Sequence, residues 1–312
     1  PQAATRDPAG SYDDVYAQDN LLLFYEKGKL NAYDLEKNHL WSRTFSSDLI
    51  LKKNVSRVLV VEKSKGNIYH LNLAGELMAS ALGLGPIEDA EITLDNRTLL
   101  FFGENRRVRI MDSYLQHAGE IVMERGAITN YGISTKQEKL ALLVLDEKEG
   151  KVQNRLYLYS LEGKLLDSRG QDKLALDVHI GDRETLLIYQ DGLQYFDAEL
   201  YEVGDFIPTN KIIYSNRQAL HLYLITGSPN PLDEAGELEW TSFSLPKKNI
   251  EFTTKIADVY DNIYSRGGVV LASYKNTLDL YNDKGELMHS EVLTYPIKKA
   301  MLLDENRLAV FD

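Results

Sequence analysis

Three stretches of the chain share one pattern: Ile68-Tyr-His-Leu-Asn-Leu-Ala-Gly75-Glu-Leu77, Leu156-Tyr-Leu-Tyr-Ser-Leu-Glu-Gly163-Lys-Leu165 and Leu278-Asp-Leu-Tyr-Asn-Asp-Lys-Gly285-Glu-Leu287. In each, an alternating strand runs into a turn whose glycine accepts a positive φ. An apolar residue two positions later restarts a strand that is expected to be buried. The glycines stand 88 and 122 residues apart (75 to 163, 163 to 285). Those intervals hold two and three copies of a unit of roughly 40 to 45 residues, the period of a four-stranded propeller blade.

Degenerate copies at Leu30 to Phe45, Val108 to Val122, Leu193 to Val203 and Leu238 to Phe252 fill the intervals, each following an apolar run such as Leu21 to Tyr25 or Thr98 to Phe102. The sequence therefore predicts an all-β chain folded as a seven-bladed β-propeller of four-stranded antiparallel blades. The units fall at about 12–45, 48–81, 86–123, 127–169, 173–204, 211–256 and 257–293. Nearly continuous apolar runs, Leu140-Ala-Leu-Leu-Val-Leu145 and Leu220-His-Leu-Tyr-Leu-Ile225, suit second strands covered on both faces by neighbouring blades. Radial stacking of this kind leaves only short, protected edges. Ile297 to Leu303 and Arg307 to Phe311 read as two further strands. They are expected to join the first unit in a mixed closing blade and displace its weak first strand, Asp13 to Gln18; the alternative is eight blades, one incomplete.

With 312 residues and 44% hydrophobic content the chain can bury one large core, so residues 21–312 read as a single domain behind a polar lead-in, Pro1 to Asn20. Nineteen Tyr and nine Phe against eight Pro favour strands over long helices. A net charge of −12 repels a phosphate backbone and an anionic bilayer. Neither nucleic acid nor direct membrane insertion of the domain is expected, and no apolar run is long enough to span a bilayer. The absence of cysteine removes disulfides, thiolate metal sites and cysteine nucleophiles. The lead-in has the character of a remnant left when a signal or anchor segment is removed, which predicts an extracytoplasmic domain tethered to a membrane.

His39, His70, His117, His179, His221 and His289 show no zinc-ligand spacing. The chain carries no nucleophile elbow, phosphate loop or dinucleotide fingerprint, and Gly83-Leu-Gly85-Pro86 reads as a turn. Glu88-Asp-Ala-Glu91 and Asp146-Glu-Lys-Glu149 lack the alternation of a calcium loop and read as solvated surface. The expectation is a protein without enzymatic activity or cofactor, binding a protein partner. The longest insertions, Asp146 to Asn154 and Gly227 to Glu237, both join second to third strands. The apolar connections Leu82 to Pro86 and Phe206 to Pro208 link consecutive blades, which places all four on one face of a propeller. The candidate partner-binding residues are accordingly Leu84, Pro86, Asp146, Glu147, Phe206, Ile207, Leu232, Asp233 and Glu234, an apolar patch with an acidic rim. The competing readings are a glycan-processing enzyme with carboxylates converging in the central channel and a small-ligand sensor using that channel.

The segment Ala32-Tyr33-Asp34-Leu35 through Leu40-Trp41 resembles the repeat of pyrroloquinoline-quinone-type propellers, in which a small residue and an Asp precede a Gly-containing turn and a docking Trp. Here the turn reads Lys37-Asn38, without the family's Thr-Gly, and the adjacent cysteines of the quinone enzymes are missing. What the resemblance implies is the fold without the redox chemistry. The chain looks closer to noncatalytic members, such as bacterial envelope assembly scaffolds, and to bacterial proteins with an N-terminal membrane helix followed by a propeller-like domain. That likeness implies a bacterial origin and a tethered, extracytoplasmic location.

Overall fold

The computed structural model describes residues 14–18, 21–46, 48–103, 106–148, 150–181, 184–218, 221–227, 238–303 and 307–311, which form β-strands and no helix. Blade 1 holds β1 (Asp14–Gln18), β2 (Leu21–Glu26), β3 (Lys29–Tyr33) and β4 (His39–Thr44). Blade 2 holds β5 (Leu49–Lys53), β6 (Arg57–Glu62), β7 (Asn67–Asn72) and β8 (Leu77–Ala81). Blade 3 holds β9 (Asp89–Ile92), β10 (Thr98–Phe102), β11 (Arg107–Met111) and β12 (His117–Val122). Blade 4 holds β13 (Ala127–Ser134), β14 (Lys139–Lys148), β15 (Lys151–Ser160) and β16 (Leu165–Gln171). Blade 5 holds β17 (Ala175–Ile180), β18 (Thr185–Tyr189), β19 (Gly192–Phe196) and β20 (Glu202–Phe206). Blade 6 holds β21 (Ile212–Gln218), β22 (His221–Thr226), β23 (Leu238–Ser244) and β24 (Asn249–Ile256). Blade 7 holds β25 (Asn262–Arg266), β26 (Val269–Tyr274), β27 (Thr277–Asn282) and β28 (Leu287–Val292). Each blade is an antiparallel meander, and the seven are arranged as a β-propeller with the first strand of each innermost. Two last strands, β29 (Lys299–Leu302) and β30 (Leu308–Phe311), pair with each other.

The second strands are buried because both their faces meet another blade: every residue of β10 and β18 is inaccessible. Cores form between consecutive blades, as where Leu23, Leu30 and Trp41 of blade 1 meet Val58, Val60 and Leu71 of blade 2. Each fully buried aliphatic side chain there contributes about 1.5–3 kcal/mol, so the ring is held by its radial interfaces.

Gly75, Gly163 and Gly285 occupy the same turn, between third and fourth strand, with φ of 80°, 82° and 76°. All seven third-to-fourth pairings also share a β-bulge just after that turn. The bulge skips one residue of the outer strand: Leu40, Met78, Ala118, Leu166, Val203, Glu251 and Met288 in blade order. Here one expectation is corrected. Leu77, Leu165 and Leu287 do not restart a buried strand; they are 50%, 50% and 54% exposed. The fourth strand is the rim of the disc and has no layer outside it.

The mixed closing blade is corrected as well. β1 stays in blade 1, paired with β2 from Asp14↔Tyr25 to Gln18↔Leu21. The C-terminal strands instead make a separate two-stranded wedge. One face of it, with Ile297, Ala300 and Leu302, packs on Leu271 and Leu278 of blade 7. The other, with Met301 and Leu303, packs on Leu22 of blade 1. The wedge closes the ring by packing and not by completing the first sheet.

Candidate functional site

In a meander of this order the connections between blades and those from second to third strand leave from one face of the disc, here called the upper face. Three departures from regularity gather there in blades 4 to 6. The first is a ribbon. β14 and β15 pair as far as Lys148↔Lys151, whereas β13 stops opposite Leu145 and β16 stops opposite Asn154. Asp146–Lys148 and Lys151–Gln153 therefore rise as a two-stranded arm about 10 Å beyond the blade, at roughly 3.3 Å per residue. This corrects the reading of Asp146 to Asn154 as an inserted loop; the pairing of Asp146, Glu147 and Lys148 with Gln153, Val152 and Lys151 continues both strands through it.

The second departure is a set of bulges at the upper ends of three consecutive inner strands, where Thr129, Leu176 and Ile213 are skipped in the pairing with β14, β18 and β22. Bulges re-aim side chains and are enriched next to binding sites. Two of them are joined: Asn130 Nδ2 donates to the carbonyl of Leu176 at 3.0 Å, so the bulge of β13 holds that of β17. Gly132 permits the approach, because a Cβ there would meet the Val178 carbonyl oxygen at 3.0 Å and Ile180 N at 3.1 Å. The third departure is apolar exposure. Leu176 and Ile207 are 44% and 72% exposed, and Val152 on the arm and Leu174 beside Leu176 are also open to solvent.

Below this rim the channel wall is polar. Lys52 Nζ reaches Glu91 Oε2 at 3.1 Å between blades 2 and 3, and Tyr131 OH donates to Asp89 Oδ2 at 3.2 Å between blades 4 and 3. On β17, Asp177 and His179 point to the same side, with Oδ2 and Nε2 3.3 Å apart. Burial pushes the Asp177 carboxyl up to about 6, although the Val178 N–H bonded to it favours the charged form. Burial, with the neighbouring Arg217 guanidinium, pulls the His179 imidazole down to about 4. Near neutral pH the wall thus presents a carboxylate beside an uncharged imidazole whose Nε2 is buried without hydrogen-bond geometry to any described group. Arg217 in turn donates from Nη1 to the Ile180 carbonyl at 3.0 Å, tying β21 to β17.

The sequence-derived candidates are spread around this face. Pro86 and Ile207 are exposed, Asp146 and Glu147 lie on the arm, and Leu232, Asp233 and Glu234 fall outside the described residues. Leu84 packs on the core between blades 2 and 3, and Phe206 lies against Phe243 with ring centroids 5.1 Å apart. The sequence reading missed Asp177, His179, Leu174 and Leu176. The Asp-Val-His alternation on an inner strand was the available signal, but it carries weight only once that strand is known to line the axis.

Residues 4–199 match the model of the family of unknown function DUF5711. No curated protein matches the chain in sequence. Among solved structures, BamB from Moraxella catarrhalis is similar with a TM-score of 0.60 and 11% identity, over 95% of this chain and 92% of that one. The C-terminal WD40 domain of Sif2 gives 0.62 and 11%, over 94% and 90%. Kluyveromyces lactis Hsv2p gives 0.59 and 10%, over 91% and 100%. At these identities the likeness shows a shared propeller fold.

Proposed function

The chain belongs to the DUF5711 family of unknown function, and from there we propose that it is a noncatalytic binding scaffold whose partner protein docks on the upper face at blades 4 to 6. The observation that carries this reading is the coincidence, in one sector, of the projecting arm of β14 and β15, three inner-strand bulges and the exposed side chains of Leu174, Leu176 and Ile207. An apolar centre beside a charged arm is the composition of an interaction surface. The location that goes with this reading, outside the cytoplasm and tethered to a membrane, rests on the resemblance drawn from the sequence. Protease accessibility of the full-length protein in intact cells tests it.

The docking surface is tested by Ile207→Asp and Leu176→Asp, each compared with wild type for co-purification of partners from its own host at an unchanged melting temperature. Loss of the same partner in both supports the reading; full retention in both removes this sector. A second reading, a small polar ligand in the channel, is favoured by the Asp177–His179 pair. It predicts that Asp177→Asn abolishes ligand binding while leaving partner binding intact.

A further inference from the structure

The inner strands of blades 3 and 5 place three carboxylates on the channel wall, and their charges are met differently. Glu91 has the ammonium of Lys52, from blade 2, at 3.1 Å. Asp89 accepts from Tyr131 OH at 3.2 Å and from the Ala90 N–H at 2.8 Å. Asp177 is bound by neither a cation nor a hydroxyl among the described residues. Its Oδ1 accepts from the Val178 N–H at 2.8 Å, and its Oδ2 faces His179 Nε2 at 3.3 Å without the geometry of a hydrogen bond. Arg217, whose charge reaches His179, directs its Nη1 to the Ile180 carbonyl. Burying a carboxylate without a counter-ion is costly, and the rise of Asp177 to about 6 expresses that cost.

The Asp177 side chain nevertheless keeps 22% of its surface open. The bulge of β17 accounts for this. In a regular strand Leu176 and Asp177 would point to opposite faces, whereas the extra residue breaks the alternation, and both side chains reach solvent. The exposed apolar rim of Leu174 and Leu176 therefore ends one residue, about 3.3 Å, above an uncompensated negative charge.

Resting on the reading that a partner protein docks on this sector, we propose that the partner sends a lysine side chain into the channel mouth. Its ammonium becomes the counter-ion of Asp177, while apolar residues beside that lysine cover Leu174 and Leu176. The net charge of −12 favours a basic segment. Lysine fits better than arginine. A guanidinium fork takes both carboxylate oxygens side by side, and here Oδ1 is held by the backbone, which leaves Oδ2 as the open acceptor. An ammonium needs only that one oxygen, and its four-carbon stem lies along Leu176 on the way in. A small free amine would meet the charge but leave the apolar rim uncovered.

The probes are the N-acetylated, C-amidated peptide Leu-Lys-Leu-Leu, the same peptide with norleucine in place of lysine, and n-butylammonium, each titrated calorimetrically into the full chain. The lysine peptide is expected to bind saturably and more tightly than the norleucine peptide by about tenfold or more. Asp177→Asn removes the buried charge and keeps the shape of the side chain, so it should erase that difference. Asp205→Asn, at an exposed carboxylate of the same sector, should leave it intact, and Leu176→Ser should weaken both peptides. Equal affinity of the two peptides, a difference that survives Asp177→Asn, or one that Asp205→Asn also erases overturns the inference. So does n-butylammonium binding as tightly as the lysine peptide, which would make this a site for small amines, and so does the absence of saturable binding. None of these results touches the docking reading, which falls only if Ile207→Asp and Leu176→Asp both keep the host's partner.

Discussion

Trp41 of blade 1 lies flat on Gly75 of blade 2 and donates its indole N–H to the Leu73 carbonyl at 2.9 Å. A Cβ at Gly75 would meet the Trp41 ring at 2.5 Å, and the backbone there has φ of 80°. Phe252 of blade 6 stands in the same relation to Gly285 of blade 7, at 2.3 Å. An aromatic residue of one outer strand thus locks onto the turn of the next blade, and the turn glycine is needed both for its left-handed backbone and for the space above it.

Gly75→Ala should therefore destabilise the ring by about 2–4 kcal/mol, the sum of a left-handed non-glycine residue and an overpacked contact. Gly83 also has a positive φ but open space at its Cβ, so Gly83→Ala should lose only the backbone part, about 1 kcal/mol. Urea denaturation of the two variants measures the difference. Equal losses would show that the Trp41 contact contributes nothing.

Removing the residues after Pro296 strips the wedge and uncovers Leu22, Leu271 and Leu278. Losing five buried apolar side chains, Ile297, Ala300, Met301, Leu302 and Leu303, should lower the melting midpoint by roughly 10 °C or more. Scanning calorimetry gives the value; an unchanged midpoint would mean that the wedge is an appendage.

Acid should destabilise the protein through its buried imidazoles. His70 is inaccessible, bonded through Nδ1 to Arg57 Nη1 at 2.9 Å and through Nε2 to Thr98 Oγ1 at 2.7 Å. Burial first, then the Arg57 charge, pulls it down to about 4. A histidine depressed in the folded state takes up its proton more readily when unfolded, so its contribution is complete above pH 6.5 and is lost as pH falls toward 4, on the order of 3 kcal/mol each for His70 and His179. Asp177 works in the opposite sense. Its raised value makes the charged form costly, and that cost is relieved as pH falls through about 6. Asp177→Asn should therefore raise stability at pH 7 by on the order of 1–3 kcal/mol and steepen the loss between pH 6 and 4. Denaturation midpoints across that range decide it; a shallower acid slope in the variant would reverse the assignment.

The ring was legible in the sequence because the glycine turns repeat at a fixed period and the second strands are continuously apolar. Gly75, Gly163 and Gly285 fell on equivalent turns for the reason their spacing suggested. The burial of Leu77 was misjudged because an apolar residue on a bulged outer strand reads the same as one on an inner strand; only the radial position tells them apart. The upper-face sector was half legible. Blade connectivity put Asp146 and Ile207 on the upper face, but the bulge at Leu176 leaves no mark on hydrophobic periodicity, and the closeness of His179 to Arg217 comes from the packing of two consecutive blades, which the sequence pattern does not display.

Docking of a partner on the upper face at blades 4 to 6 is put to its sharpest test by photo-crosslinking in the native host from a benzoylphenylalanine placed at Ile207. The same probe at Tyr114, 71% exposed on the opposite face against 72% for Ile207, serves as the control. One discrete protein adduct is expected from position 207 and none from 114. The same adduct from both positions, or an adduct from 114 alone, would show that the partner is held elsewhere.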